Sequence, residues 1–352
     1  MSNDANFAAP RRSRPIRCVP GLAAAVIATI LGSAPAQAQI NTQGLSQTPG
    51  GPVFATAIPG VVAAGAPVVF IKGGLSSSEG PVAGPDGSVY FTEPTVNKVY
   101  KVDSTDAVTL FFDAQKVDDP KGERWRMPSL GMNSKGELLA ARRAATKFGI
   151  AIIHPADKAK FLAESYNGTP FAAPNDMSVA KNDSIYFTDQ GSPEQGAKST
   201  RGMFYLKPSG EVILATDQIA SPNGLVLSRD EKTMYAVDSK AEYIYAFDVQ
   251  SDGTLKNRRN FATLKGVKKT DKGIDPGVDG VAIDNDGRVY VITHAGIEVF
   301  SETGKALGVI PMPIKVQNLA FGGKDGKTLY VVGRGNLFKV SMISQKFAGR
   351  AK

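Results

Sequence analysis

Polar side chains recur at one position of a repeated pattern, and their types point to metal chemistry. Six short segments alternate apolar and polar residues, and each opens on a residue that we call its head. The heads are Glu79, Pro128, Asn175, Asn223, Asp279 and Asn318. Two carboxylates and up to three carboxamides, without a nitrogen or sulfur donor, are ligands that a hard cation such as Ca²⁺ prefers. The heads therefore predict a divalent-cation site, provided that the fold brings them together.

Taken singly, most heads have a simpler explanation. Asn and Asp before Gly are ordinary turn residues, as at Asn223 and Asp279. Glu79, however, is a poor turn residue, and the charges fall on only two of the heads. Converging carboxylates repel each other unless a cation lies between them. The set as a whole therefore favours a cation over a series of unrelated turns.

A repeated hairpin must position the heads, which follow one another at intervals of 49, 47, 48, 56 and 39 residues. Each segment breaks at a turn and resumes as a second strand, a pattern typical of β-hairpins. The turn glycines are Gly87, Gly136, Gly287 and Gly326, and the second strands contain Tyr90, Leu139, Tyr186, Tyr235, Tyr290 and Tyr330. A repeat in the high forties with about four short strands is typical of a β-propeller blade. Six heads predict an all-β, six-bladed β-propeller whose innermost strands present the heads to a central channel.

The last repeat is too short for a complete blade. Counting from Asn318, only 35 residues remain before the C-terminus. The apolar run from Pro67 to Ile71 precedes the first head and can supply the missing strand. We therefore expect this N-terminal strand to pair with the last blade, closing the ring and covering an exposed sheet edge.

The N-terminus predicts export. Four arginines, beginning with Arg11 and Arg12, precede an apolar stretch that is short for a membrane span and ends before Ala38. Residues 1–38 are therefore a predicted signal peptide, cleaved near Ala38, and a twin-arginine signal is the less favoured alternative. The mature chain would be periplasmic or secreted and would retain no membrane span. Residues 39–66, rich in Gly and Pro, predict a linker or surface arm, and residues 67–352 the propeller.

Composition excludes several classes of site. Removal of residues 1–38 takes away four Arg and one Asp, so the net charge falls from 41 − 33 = +8 to 37 − 32 = +5. This excess is too dilute to indicate nucleic-acid binding. Cys18 lies in the signal segment, and only two histidines occur, so thiolate and three-histidine zinc sites are excluded. The lysines before Asp279 (Lys265, Lys268, Lys269 and Lys272) favour an anionic small-molecule substrate, unless they simply form a solvated loop. The sequence identifies no protein partner.

Several motifs, in order, resemble a known group. They are Glu79-Gly80-Pro81, Pro174-Asn175-Asp176, Ser221-Pro222-Asn223-Gly224, Asn257-Arg258-Arg259 followed by Phe261-Ala262, and Val278-Asp279-Gly280. Together they resemble the senescence marker protein, gluconolactonase and luciferin-regenerating enzyme superfamily of six-bladed propellers. The resemblance extends over about residues 70–340.

This resemblance implies a site and an activity. Glu79, Asn223 and Asp279 would bind one divalent cation, with Asn175 a fourth ligand or a substrate contact. Ca²⁺ is favoured, and Zn, Mn, Mg and Fe are the alternatives. Members are typically lactonases, in which the cation would polarise the lactone carbonyl. Asp279 or a metal-bound water would then supply the base or nucleophile.

The chain departs from the family pattern near the predicted channel mouth. Pro128-Ser129 replaces the usual Asn-Gly of the second head, and Arg142-Arg143 replaces a frequent Glu-His. These changes leave sugar-lactone specificity open. Trp125 and Arg126, just before the second head, are candidate substrate contacts. His294, at the end of a second strand, is a candidate acid or substrate donor, although a lone histidine there is more often structural.

Two other functions fit the same residues. Diisopropyl fluorophosphatase is a six-bladed propeller with a similar Glu, Asn, Asn, Asp set, which would make the chain a phosphotriester hydrolase. Alternatively the chain is a non-catalytic exported binding propeller with a structural metal, since fold alone does not determine function.

Overall fold

A computed structural model of the chain describes residues 49–114, 126–143, 147–192, 200–271, 273–347 and 349. Within these ranges the chain is an all-β protein with a propeller-like arrangement, and its helical structure is limited to a 3₁₀ turn at Ala156–Lys158. The same ranges contain no helix with the length and apolar character that a membrane crossing requires.

The strands are short and follow one another closely along the chain. They are β1 (Val53–Phe54), β2 (Pro67–Lys72), β3 (Glu79–Ala83), β4 (Val89–Glu93), β5 (Lys98–Val102), β6 (Val108–Asp113), β7 (Arg126–Met132), β8 (Leu138–Arg143), β9 (Phe148–His154), β10 (Lys160–Ala163), β11 (Ser165–Tyr166), β12 (Thr169–Pro170), β13 (Pro174–Val179), β14 (Ile185–Asp189), β15 (Gly202–Leu206), β16 (Val212–Thr216), β17 (Pro222–Leu227), β18 (Thr233–Asp238), β19 (Tyr243–Val249), β20 (Leu255–Thr263), β21 (Lys268–Thr270), β22 (Gly273–Asp275), β23 (Val281–Ile283), β24 (Val289–Thr293), β25 (Gly296–Phe300), β26 (Ala306–Ile310), β27 (Asn318–Gly322), β28 (Thr328–Gly333) and β29 (Asn336–Ser341).

Consecutive strands pair antiparallel into small sheets. Strands β13 to β16, β17 to β20 and β23 to β26 each form a four-stranded sheet in chain order. Strands β3 to β6 and β7 to β10 are two similar groups, joined into one eight-stranded sheet by a parallel bridge between Gly80 and Ser129. The remaining large sheet has the order β1-β2-β29-β28-β27, while β11 with β12 and β21 with β22 form two-stranded ribbons.

The predicted hairpins lie where the repeat indicates. Gly87, Gly136, Gly287 and Gly326 have φ of 81°, 73°, 79° and 68°, the left-handed region that glycine adopts without strain. The six second-strand residues lie in β4, β8, β14, β18, β24 and β28. Apolar side chains from neighbouring sheets pack together between them, as where Val89 and Phe91 of β4 meet Tyr330 and Val332 of β28.

The strands that carry the heads are neighbours. We call them the head strands: β3, β7, β13, β17, β27 and β23, the last of which begins just after Asp279. Each head strand contacts the next one along the chain, and β27 contacts β3, so the series returns to its start. Glycine permits this close approach, since a Cβ built on Gly80 would lie 2.5 Å from Ser129 Cα.

Residues before the first head strand pack on the last sheet. Strand β2 pairs antiparallel with β29, with Val68 opposite Val340 and Phe70 opposite Phe338. Ile58, Val61 and Val62, from the segment predicted as a linker or arm, are buried in the same apolar cluster as Phe338. This segment is therefore held against the sheet by apolar contacts.

Candidate functional site

Four of the predicted site residues lie along one path made of hydrogen bonds and of the backbone segments that these bonds join. Asn175 donates from Nδ2 to Asn223 Oδ1 (2.7 Å), and Asn223 donates to the carbonyl of Val278 (3.3 Å), the residue before Asp279. A Cβ on Gly224 would lie only 2.1 Å from the Asp279 carbonyl oxygen. The structure therefore brings Asn175, Asn223 and the Asp279 backbone together.

The same path continues to the first head. The Gly280 amide donates to the Gln317 carbonyl (2.8 Å), and Asn318 Nδ2 lies 3.4 Å from Glu79 Oε2. Heads far apart in sequence thus line one end of the head strands.

Neutral donors hold the carboxylate of Glu79, a residue that is only 8% exposed. Gln317 donates from Nε2 to Oε1 at 2.6 Å, and the Gly80 amide donates to Oε2 at 3.1 Å. Gln317 is itself oriented, because its side-chain oxygen accepts the Arg334 amide at 3.0 Å. Hydrogen bonds of this kind stabilise the ionised carboxylate, which is the form that binds a cation.

Carboxylates at the ends of second strands fix the loops that enter the heads. Each accepts the backbone amide of a residue that lies three positions before a head. The pairs are Glu93 with the Ser76 amide (2.7 Å), Asp189 with the Ala172 amide (2.9 Å) and Asp238 with the Ala220 amide (2.9 Å). These buried carboxylates hold the backbone of the site in place, because their oxygens accept hydrogen bonds from its amides.

Asp279 is half-buried, close to a second group of charges. Burial lowers the pKa of the Lys315 ammonium, and Asp275 and Asp279 are among the nearby charges acting on it. His294 Nε2 lies 2.9 Å from Asp275 Oδ2, and its amide donates to the Pro276 carbonyl. His294 therefore supports the loop that leads to Asp279.

Arg126 and Arg143 lie at the open end of one hairpin, where their Cα atoms pair across β7 and β8. Arg126 is exposed, whereas the Arg143 guanidinium reaches the third head and donates to Asn175 Oδ1 at 3.2 Å. Burial lowers the pKa of Arg143 to about 10, a value at which it remains charged at neutral pH. Trp125, the other predicted contact beside the second head, lies outside the described residues.

Two residues of the site were not predicted from sequence. Gln317 directly precedes the head Asn318, so its position in the repeat was a usable signal for a side chain near the channel. Arg143 was noted only as a departure from the family pattern. It is the last residue of a strand, so the direction of its side chain could not be predicted from the sequence. Within the described ranges, no group of three or more His, Cys, Asp or Glu side chains is placed to hold a metal. A cation at the heads would therefore depend on asparagine oxygens as well as on carboxylates.

Comparison with known proteins gives the chain its family. Residues 77–334 match the family model described as SMP-30/Gluconolactonase/LRE-like region. A gluconolactonase of Zymomonas mobilis is 28% identical over 343 residues, covering 92% of this chain and 94% of the relative. A regucalcin of Danio rerio is 34% identical over 134 residues, 37% of this chain and 43% of the relative.

A solved structure shares the fold. The gluconolactonase from Xanthomonas campestris superposes with a TM-score of 0.65 at 23% identity, covering 84% of this chain and 99% of that one. The resemblance predicted from the motifs is thereby confirmed: the chain belongs to the SMP-30/gluconolactonase/LRE-like family.

Proposed function

We propose that this chain is a lactonase that opens a cyclic ester with the help of one divalent cation held by Glu79, Asn223 and Asp279. The enzyme class is supported by the family match and by the gluconolactonase that covers nearly the whole chain. The observation that carries the proposal is the series of hydrogen bonds from Asn175 through Asn223 to Val278, from Gly280 to Gln317 and from Asn318 to Glu79, which surrounds the Asp279 backbone.

The side chains at the heads fit a hard cation. They supply two carboxylates and neutral amide oxygens, a donor set that suits Ca²⁺, with Zn, Mn, Mg and Fe as alternatives. The Asn223 Oδ1 atom faces an amide donor of Asn175 and would exchange this partner for the cation. A bound cation would polarise the lactone carbonyl and stabilise the negative charge that develops on its oxygen.

Three side chains would carry out the other steps of the hydrolysis. Asp279, half-buried beside the path, would accept the proton of the water that attacks the carbonyl carbon. As the ring carbon–oxygen bond breaks, this proton passes to the ring oxygen and leaves a hydroxy acid. Asn175 would serve as a fourth ligand or hold the substrate. His294, which lies beside Asp275, would serve as an acid or as a hydrogen-bond donor to the substrate.

We also propose that the fold is a six-bladed propeller closed by the N-terminal strand. Support comes from the series of head-strand contacts, from the two four-stranded groups within the eight-stranded sheet, and from the pairing of β2 with β29. Export is a further part of the proposal, with residues 1–38 as a cleaved signal and the periplasm or the exterior as the destination. This part rests on sequence alone, because those residues lie outside the described ranges.

The substrate is a small molecule, and a negative charge on it would suit the cations around the site. The charges of Glu79 and Arg126 act on Arg143, the charge of Asp279 acts on Lys315, and a bound divalent cation would add further positive charge. Attraction of this kind concentrates anionic ligands at a cleft.

One experiment tests the proposed activity. Metal content and hydrolysis of a lactone panel would be measured on purified protein with and without chelator, for wild type and Asp279→Asn. We expect chelator-sensitive lactone hydrolysis and a fall of about 100-fold or more in kcat/KM for Asp279→Asn, because the base is lost. Asp217→Asn, which removes an exposed carboxylate, serves as the matched control.

The outcome separates the three functions. Turnover of fluorophosphate or paraoxon-type esters in preference to every lactone would indicate a phosphotriester hydrolase. Absence of chelator-sensitive hydrolysis of both classes, in protein that keeps its fold, would indicate a binding scaffold.

A further inference from the structure

We propose that Arg143, assisted by Arg126, forms a carboxylate-binding subsite beside Asn175, and that the preferred substrate is a lactone bearing a carboxylate. This inference rests on the proposed lactonase function and names its substrate class.

The Arg143 guanidinium is fixed at the site by neutral oxygens. Its Nε donates to the Pro174 carbonyl at 2.8 Å, and its Nη2 donates to the Ala173 carbonyl and to Asn175 Oδ1, each at 3.2 Å. These bonds hold the group in one orientation against the strand that carries the third head. A long side chain held in this way loses little further entropy when it binds a ligand.

This guanidinium lacks an acidic partner in the described part of the chain. No carboxylate there lies within the 4.0 Å of an ion pair, and no partner is found for its Nη1 group. Other arginines differ: Arg259 pairs with Asp248, and Arg288 pairs with Asp284. Asp189 and Glu79 act on Arg143 electrostatically, but the Asp189 oxygens are engaged by the amides of Ala172 and Ala173 and by other donors, and the Glu79 oxygens are engaged by Gln317 and the Gly80 amide.

A second positive charge lies nearby. Arg126 is opposite Arg143 in the β7–β8 pairing, and its charge acts on the Arg143 guanidinium. The head carried by β7 is Pro128, whose side chain can neither donate nor accept a hydrogen bond. The like charge of Arg126 works against the Arg143 cation, whereas Asp189 and Glu79 favour it from a distance without forming an ion pair, so an anion in direct contact would favour it further. The pair is therefore suited to an anionic ligand.

The geometry favours a carboxylate on the substrate. Nε and Nη2 already donate to protein oxygens, so Nη1 is the nitrogen that can donate to a ligand, and its bond to a carboxylate oxygen would be a strong, charge-assisted one. Arg143 also touches Asn175, so an anion on Nη1 would lie next to the residues proposed to hold the cation and the ring carbonyl. A lactone of a sugar diacid carries both groups in one small molecule.

A matched substrate pair tests the inference. Glucaro-1,4-lactone and glucono-1,4-lactone differ only in a carboxylate in place of a hydroxymethyl group. We expect wild type to prefer the carboxylated lactone, mainly through KM. Arg143→Gln should lower kcat/KM for it by about 10- to 100-fold, the usual range for a lost charge-assisted hydrogen bond, and should change the neutral lactone far less. Arg143→Lys should recover part of the preference.

Control variants and outcomes make the test decisive. Arg258→Gln removes a cation of β20 that is held by the Gln218 carbonyl, and it should leave both lactones unchanged. Equal losses for both lactones in Arg143→Gln would show that Arg143 only supports the 173–175 backbone. A wild-type preference for the neutral lactone, or for a 6-phosphorylated gluconolactone over the carboxylated one, would also overturn the inference.

Failure of the proposed function is recognised separately. If no lactone is hydrolysed, calorimetric binding of intact glucaro-1,4-lactone to wild type and Arg143→Gln decides the matter. Binding that depends on Arg143 supports the subsite, and absence of binding refutes it.

Discussion

Close packing between Gly224 of β17 and Asp279 makes Gly224→Ala a sharp test of the site. A Cβ at this position would lie 2.1 Å from the Asp279 carbonyl oxygen, 2.9 Å from Val281 Cγ2 and 3.0 Å from the Val281 amide nitrogen. Contacts below 3.0 Å are essentially never seen for real Cβ atoms, so the backbone around Asp279 must move by about 3.0 − 2.1 = 0.9 Å.

The two consequences differ in size. Overpacking of this kind costs about 1–3 kcal/mol of unfolding free energy, which a domain of this length tolerates. A displacement of about 1 Å at a catalytic group, however, can cost about 100-fold in rate. We therefore expect Gly224→Ala to remain folded and to lose about 100-fold in lactone kcat/KM, with weaker cation binding.

The assay combines urea unfolding, metal titration and lactone hydrolysis. Gly51→Ala is the control, because a Cβ at this position would have no atom within 4 Å and the backbone of Gly51 is not in the left-handed region. A Gly224→Ala protein with wild-type turnover and cation affinity would refute the convergence of Asn223 and Asp279 on one site.

Two further predictions follow from single contacts. Gln317→Leu removes the donor that lies 2.6 Å from Glu79 Oε1, and we expect the cation Kd to rise by about 10- to 100-fold, as for other residues that orient a ligand. The control is Gln345→Leu, which removes an exposed glutamine that donates to the Asp325 carbonyl and should leave the cation Kd unchanged. An unchanged Kd in Gln317→Leu would count against Glu79 as a ligand. The Lys101 ammonium, together with Ser88, lowers the pKa of Asp86 to about 2. Because the folded pKa lies below the unfolded one, this stabilisation is present above about pH 4 and is lost as the pH falls towards about 2. Asp86→Asn should therefore be less stable than wild type at pH 7, by under about 1 kcal/mol for so exposed a pair, and equal to it near pH 2. Urea unfolding across this range measures the difference, and a constant difference would contradict the assignment.

The sequence predicted the positions that follow from backbone geometry. The turn glycines and second strands recur with the repeat because hairpin formation depends on local pattern. Equivalent positions of equivalent strands are expected at equivalent depth, so the repeat groups all six heads, whereas the choice of Glu79, Asn175, Asn223 and Asp279 among them came from the family resemblance.

The rest depends on side-chain directions that one sequence does not encode locally. Arg143 contacts Asn175 only because the end of β8 lies beside the next head strand, and a long side chain at a strand end has several directions open to it. Gln317 holds Glu79 across 238 residues of chain. The basic insertion before Asp279, predicted either to favour an anionic substrate or to form a solvated loop, contains the short ribbon β21–β22.

The pairing of β2 with β29 has a consequence for how the chain is made. Val68 finds its partner in Val340, 340 − 68 = 272 residues later. A nascent chain therefore cannot complete this sheet until synthesis is nearly finished, and contacts of such long range slow folding. Loss of residues 336–352 alone would remove β29, the strand that lies between β2 and β28. It would expose two sheet edges, one on β2 and one on β28.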